Sequence, residues 1–201
     1  MLIDGIKSRP KYPGLVPDAY SRHHVFAADG EGAQAILDLF SKSAAEIQGQ
    51  VVIVYAETVA GSSDFSSELG RLPVEVVHSL PSIVTAMSRL AGILANARVN
   101  TRLYAAGTET MIGLAVQLAV ASGIDAQAVL TEHRGSAARR VQCVHCKGFT
   151  ENVTTNVVTC AHCGEHLLVR DHYSRRLAAF QGVSADAEEP GVLPEIVEVF
   201  K

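Results

Sequence analysis

The sequence predicts an α/β protein: a five-stranded parallel sheet with a small cysteine-rich ribbon after it. Three observations carry that prediction. Between residues 23 and 133, short β-branched and apolar runs alternate with segments whose apolar residues recur at helical spacing. Such alternation means strands joined by crossover helices, hence a parallel sheet with helices on both faces. The four cysteines of the chain all fall within residues 143–163, as two Cys-x-x-Cys pairs. Finally, 201 residues at 48% hydrophobic and 19% charged supply enough apolar side chains for one main core and an appendage.

Taken in order, Pro10, Pro13 and Pro17 block helix at the start and favour an extended arm. His24-Val-Phe-Ala-Ala28 reads as the first strand, and Asp29-Gly-Glu-Gly32 as a tight turn after it. Ala33, Ile36, Leu37, Phe40 and Ala44 then fall on one helical face. Val51-Val-Ile-Val-Tyr55 is a continuous apolar run, the mark of a strand buried on both faces. Val74-Glu-Val-Val77 is a third strand, and Pro81 opens a helix with Ile83, Val84, Met87, Leu90, Ala91 and Leu94 in helical register. Arg102-Leu-Tyr-Ala-Ala106 is the fourth strand, and the helix after it stops at Gly123, a suitable residue just past a helix end. Ala128-Val-Leu-Thr131 is the fifth. The expected organisation is an arm over 1–22, an α/β domain over 23–133, a metal ribbon with a basic segment over 134–183, and an acidic tail over 184–201.

Cys143-Val-His-Cys146 and Cys160-Ala-His-Cys163 have the spacing of a mononuclear four-thiolate site. In each Cys-x-x-Cys turn the backbone N–H groups fold toward the sulfurs, so each pair supplies two corners of a tetrahedron. Gly164 and Gly148 stand where the two turns must close, and the β-branched stretch Asn152–Thr159 reads as a small hairpin between them. The pattern is that of a zinc ribbon or a rubredoxin-like knuckle pair. Zinc is the expected ion, with a single redox-active iron as the alternative, since both take four thiolates. His145 and His162 would over-fill such a site and are expected as exposed or supporting residues.

The turn between the first strand and first helix is where parallel sheets cradle a pyrophosphate. Ala27-Ala-Asp-Gly-Glu-Gly-Ala-Gln34 resembles the glycine turn of the nicotinamide-binding domain of ferredoxin reductases. Val51–Glu57 and Phe65–Leu69 resemble the segments that follow it, and Leu103-Tyr-Ala-Ala-Gly-Thr-Glu-Thr-Met111 is similar to that family's Tyr-x-Cys-Gly-Pro-x-x-Met motif. The resemblance implies a Rossmann-like domain and a residual nucleotide site at Gly30, Gly32, Gly107 and Thr108. The departures point the other way. Asp29 and Glu31 put two carboxylates in the turn that would hold phosphate, each opposing it by roughly 1 kcal/mol or more. Ala35, Ala106 and Thr108 replace the family's proline, cysteine and proline, and no flavin-binding Arg-x-Tyr-Ser motif or preceding barrel is present. A reductase shape that has lost its chemistry is the expectation, with no flavin or haem bound by this chain alone.

Arg134, Arg139, Arg140, Arg170, Arg175 and Arg176 make the segment around the cysteines locally positive. It reads either as a solvated face or as a docking patch for an acidic partner, with Phe180 as its apolar anchor. A net charge of −4 and few neighbouring aromatics argue against nucleic acid, although zinc ribbons often bind it. His172, Tyr173 and Ser174 could form an acid–base cluster, but adjacent residues point in different directions, so packing or interface roles are expected. The tail, with Asp186, Glu188, Glu189, Glu195 and Glu198 broken by Pro190 and Pro194, is expected to be loose or draped over a partner.

Cys-x-His-Cys, a second Cys-x-His-Cys-Gly, and then His172-Tyr-Ser-Arg-Arg-Leu-Ala-Ala-Phe-Gln-Gly-Val183 resemble the signature of a bacterial dimethylamine monooxygenase subunit family. The resemblance implies a subunit of a multi-component oxygenase that converts dimethylamine and O₂ to methylamine and formaldehyde at a haem on another subunit. Its implied partners are that catalytic haem subunit and a flavin and iron–sulfur reductase subunit. An accessory role with a structural metal and a role as one-iron electron carrier both fit it. No basic and apolar leader stands at Met1–Lys7, and no stretch reaches the roughly 18 apolar residues of a membrane span, so a cytoplasmic location is expected.

Overall fold

A computed structural model of the chain describes residues 8–57 and 64–201. The reading of Met1–Lys7 as free of a leader lies outside the described residues. The chain divides into two compact units: Tyr12–Gly135, and the described residues up to Lys11 together with Ser136–Lys201. Of the stretch expected as one arm, residues 12–22 belong to the first unit and the described residues 8–11 to the second.

The first unit holds the expected parallel sheet. Strands β1 (His23–Asp29), β2 (Gln50–Ala56), β3 (Val76–Leu80), β4 (Thr101–Gly107) and β5 (Val129–His133) pair in the order β3-β2-β1-β4-β5, all parallel. The helices are α1 (Gly32–Ser43), α2 (Ser66–Leu69), α3 (Ile83–Leu94) and α4 (Glu109–Ala121). Side chains alternate along each strand. Phe26, Ile53, Tyr55 and Tyr104 pack with Ile36, Leu39 and Phe40 of α1 and Leu69 of α2. Val25, Val54, Leu103 and Ala105 pack on the other face with Leu90 and Leu94 of α3 and Met111, Ile112 and Ala115 of α4. Both faces are thus covered, as the continuous apolar runs predicted. The third strand begins at Val76 rather than Val74, because Val74 is held in a turn by its N–H to Leu72 O at 2.8 Å.

A buried polar pair crosses this core. His24, 1% exposed, places Nε2 3.1 Å from Gln48 O and Nδ1 3.0 Å from the Tyr104 hydroxyl. Gln48 O only accepts, so Nε2 carries the proton and the Tyr104 hydroxyl donates to Nδ1. That hydroxyl accepts in turn from Asp18 N–H at 3.2 Å. Burial holds the imidazole below its ordinary pKa and pushes the phenol up to about 12.

The second unit is larger than a knuckle pair. Strands β6 (Arg139–Cys143), β7 (Phe149–Val153), β8 (Val157–Thr159), β9 (His166–Ser174) and β10 (Ala179–Ser184) form a five-stranded sheet ordered β7-β6-β10-β9-β8. β6 and β10 are parallel and the other neighbours antiparallel. The expected hairpin over Asn152–Thr159 is overturned: both halves are strands, but β7 and β8 lie on opposite edges of the sheet. The β-branched residues set the extended backbone. Burial of Val153 and Val157, at 3% and 2% exposure, belongs to their pairing with β6 and β9.

Two further expectations fail here for a common reason. Phe180 is 2% exposed, stacked edge-on against Tyr173 at 5.1 Å, and cannot anchor a partner. Arg139, expected in a basic linker, lies in β6 at 4% exposure. Its guanidinium sits between the Phe180 and Phe200 rings, 3.8 and 3.7 Å from their centroids, and pairs with Asp171 Oδ1 at 2.7 Å. Asp171 Oδ2 accepts from Arg9 at 2.5 Å, and Ser8 bridges to His172 beside it. Arg140 and Arg134 are paired as well, with Glu151 at 2.8 Å and with Glu132 and Asp38. A planar guanidinium that stacks and pairs is stable in a core. Counting charge along the sequence places it on the surface. The tail, expected to be loose or draped over a partner, is tied to its own unit: the N–H groups of Val199 and Phe200 bond Thr154 O at 2.9 Å, and Asn156 N–H bonds Val197 O at 3.0 Å.

Candidate metal centre

Two places in the chain were expected to carry chemistry, one in each unit. In the first unit, Gly30, Gly32, Gly107 and Thr108 come together past the C-terminal ends of β1 and β4, where the strand order reverses. That is the crevice such sheets offer to ligands. Here the chain's own carboxylate stands in it. Asp29 is 1% exposed; its Oδ1 accepts the Thr108 backbone N–H at 2.8 Å and its Oδ2 accepts the Thr108 hydroxyl at 2.7 Å. Burial pushes the Asp29 carboxyl above the usual range, while the two Thr108 bonds pull it back.

The glycines have a packing reason that needs no phosphate. A Cβ on Gly107, at φ +124, would lie 1.8 Å from Asp29 Oδ1, and one on Gly32 would lie 2.3 Å from Ala106 O. They let α1 close on β4 and let the carboxylate reach α4. Thr108 Oγ1 also caps α4 by accepting Met111 N–H at 3.3 Å. Along the same end of the sheet, Tyr12 stacks on His133 at 5.7 Å and donates its hydroxyl to Glu109 Oε1 at 3.1 Å, while Leu15 N–H bonds Glu132 Oε2 at 2.8 Å. Sequence reasoning noted Asp29 as a departure and missed its partner, because Asp29 and Thr108 lie 79 positions apart.

In the second unit, Cys143, Cys146, Cys160 and Cys163 converge. All four Sγ atoms lie within 4.8 Å of one another, with Cys143–Cys163 at 3.8 Å and Cys146–Cys160 at 3.7 Å. None is in a disulfide. Four thiolates at about 2.3 Å from a central ion stand about 3.8 Å apart at the edges of the tetrahedron. The donor set therefore fits a four-thiolate metal ion. Cys143 ends β6 and Cys160 follows β8, both buried, whereas Cys146 and Cys163 are exposed.

The two turns are built alike. Lys147 N–H bonds Cys143 O at 3.0 Å and Gly164 N–H bonds Cys160 O at 3.1 Å. The left-handed residue is Gly164 (φ 77) in the second turn but Lys147 (φ 66) in the first. Gly148 was expected to close the first turn and has a different duty. A Cβ there would lie 2.4 Å from the His162 ring, which packs over it and bonds Phe149 O through Nε2 at 2.9 Å. His162 thus ties the second turn to the strand leaving the first. Gly148 N–H also points to Cys146 Sγ at 3.4 Å.

The electrostatics of the thiols show what the cluster demands. Burial resists ionisation of Cys160, yet the N–H groups of Cys163 and His162 and the thiols of Cys163 and Cys146 outweigh it and bring the thiol down to about 6. Cys163 accepts the Glu165 N–H, but burial and the three other thiols push it up to about 12. The opposed shifts reflect four thiols crowded about one point, a repulsion that a bound cation would relieve. Of the remaining candidates, His172 is exposed and Tyr173 buried, on opposite faces of β9, so they do not converge.

Comparison with known proteins bears on both units. The family model described as dimethylamine monooxygenase subunit DmmA-like, N-terminal domain, matches residues 4–129, and the corresponding C-terminal domain matches 140–183. The chain belongs to the DmmA-like family. It is 35% identical over 135 residues to the heme-dependent oxidative N-demethylase delta subunit of Ectopseudomonas mendocina (strain ymp), covering 64% of this chain and 76% of that protein. Among solved structures it is similar to an intact type IV self-sufficient cytochrome P450 monooxygenase, at 22% identity and TM-score 0.43 over 62% of this chain. It spans 17% of that longer protein. Full-length CYP116B46 from Tepidiphilus thermophilus is similar at 19% identity and the same TM-score, over 69% of this chain and 20% of that one. Among the described residues, no helix is long and apolar enough to cross a membrane.

Proposed function

We propose that this chain is an accessory, non-catalytic subunit of a dimethylamine monooxygenase, with one zinc ion in the Cys143, Cys146, Cys160 and Cys163 site holding the second unit in a fixed shape for assembly. The observation that carries it is the relationship to the delta subunit of a heme-dependent N-demethylase. The geometry supports it from both ends. The thiol spacing suits a closed tetrahedral ion with no open position for substrate. The crevice that resembles a nicotinamide site is taken by Asp29 and Thr108. On this reading dimethylamine is oxidised at a haem on a companion subunit, electrons arrive through a flavin and iron–sulfur subunit, and the complex is cytoplasmic.

A second reading, a one-iron electron carrier of the same oxygenase, is favoured by one feature: two of the four cysteines, Cys146 and Cys163, are exposed residues, where a carrier would pass electrons out. The optical spectrum of the purified chain together with its metal content decides between them. A colourless protein with one equivalent of zinc supports the accessory reading, and visible thiolate-to-iron bands that bleach on reduction overturn it. Co-production with the companion subunits tests membership in the oxygenase. Failure of the chain to co-elute with them at any salt concentration overturns the assignment altogether.

A further inference from the structure

The segment that follows β10 has an unusual surface. Val192, Leu193, Ile196, Val197 and Val199 are 53, 37, 61, 45 and 50% exposed, five large aliphatic side chains turned to solvent within eight residues. Scattered exposed aliphatics are ordinary, but a dense set marks an interaction surface. Its backbone is nevertheless tied down. Asn156 holds Val197 from both sides, donating its N–H to Val197 O at 3.0 Å and accepting Val197 N–H on Oδ1 at 2.7 Å, and its Nδ2 donates to Glu195 O at 2.9 Å. Thr155 bridges to Glu198, Val199 and Phe200 bond Thr154 O, and Phe200 lies over the Arg139 guanidinium. Holding an irregular segment in place costs conformational entropy, and here the side chains so displayed leave about half their surface to solvent. The polar residues of the same stretch are of one sign: Glu188, Glu189 and Glu195 make no ion pair among the described residues, and Lys201 is paired with Glu198 at 3.2 Å.

We infer that residues 188–199 are the docking strip by which this chain binds a companion subunit, seating Val192, Ile196 and Val199 in an apolar groove rimmed by lysine or arginine. The inference rests on the accessory-subunit reading above. A preformed strip loses less freedom on binding than a loose one, and acidic flanks steer it toward a basic rim. The strip lies beyond residue 183, where the C-terminal family-model match ends.

The test produces the tagged full chain with its companion subunits and measures co-elution and affinity for wild type, Ile196→Glu, the triple charge reversal of Glu188, Glu189 and Glu195 to lysine, and Val84→Glu. Val84 is 79% exposed on α3 of the other unit and serves as an apolar control. Expected are assembly of wild type and Val84→Glu, at least a tenfold weaker complex for Ile196→Glu, and a slower, less salt-sensitive association for the charge reversal. Circular dichroism and metal content equal to wild type show that the variants fold. If all four chains assemble alike, the strip is not the docking site while the subunit assignment stands. If wild type does not assemble, both fall. If wild type instead forms a dimer of itself that Ile196→Glu dissolves, the strip binds a second copy and the inference is overturned.

Discussion

The crevice end of the parallel sheet and the thiol corner of the second sheet are opposites in how their polar groups are satisfied. At the crevice, the groups that could take a ligand already answer each other: Asp29 accepts both donors of Thr108, and the N–H groups of Ala33 and Gln34 bond Gly30 O and Glu31 O at 3.1 and 3.0 Å. At the thiol corner a few N–H groups lean toward the sulfurs, and the four sulfurs otherwise face one another in a cluster that could hold a cation. A fold can keep its ligand-binding architecture after its own side chains have closed the site.

Removing a sulfur should break this contrast most forcefully. Cys143→Ser or Cys163→Ser should lose the metal and cost the second unit on the order of 5 kcal/mol, less than a zinc-finger peptide loses because Val141, Leu167 and Phe180 give the sheet a core of its own. In calorimetry, the transition of that unit should fall by about 20 °C or disappear while the transition of Tyr12–Gly135 stays in place. A single unchanged transition in either variant would mean that the ion contributes nothing to folding.

Arg139→Ala comes next. It removes a buried guanidinium from between two rings and leaves Asp171 facing Arg9 alone, at a cost of about 3 kcal/mol to the same unit. Arg139→Lys should recover less than half of that, since an ammonium cannot lie flat between Phe180 and Phe200. Denaturant midpoints that do not separate the two variants would show that charge alone matters there.

At the crevice, Asp29→Ala should cost about 2 kcal/mol by orphaning the Thr108 N–H, and Asp29→Asn less, because its amide oxygen still accepts that bond. The charge adds a sign. With its folded pKa raised by burial, ionised Asp29 lowers stability as pH rises above the unfolded value of 3.8 through the folded one, so Asp29→Asn should gain on wild type along that climb. Calorimetric titration of wild type with reduced nicotinamide cofactor should show no saturable binding up to about 1 mM; a tighter constant would reopen the crevice as a site.

The smallest effect is His24. Its folded pKa lies below 6.5 through burial, so its contribution is intact above 6.5 and lost as pH falls below that value toward the folded one. The urea midpoint of the first unit should drop from pH 7.5 to 5.5 in wild type and drop less in His24→Asn. Parallel slopes for the two proteins would remove His24 from the account.

Local chemistry was readable from the residues themselves. The parallel sheet was legible because strands buried on both faces carry unbroken apolar runs such as Val51–Tyr55, and the thiol site because Cys-x-x-Cys geometry is complete within four residues. The second sheet was not, because its pairing joins Arg139–Cys143 to Ala179–Ser184, about forty residues apart, and the first of these, opening with two arginines, looks like a basic surface segment.

What the sequence alone determined, then, is which backbone is extended, which is helical and where four sulfurs can meet, all set by spacing within a few residues. Only the tertiary structure decided that β7 and β8 part company, that Arg139 is interior, and that Asp29 finds Thr108. Each of those depends on which distant groups are brought within bonding distance, and a buried charge or an edge strand takes its meaning from the partner that folding supplies.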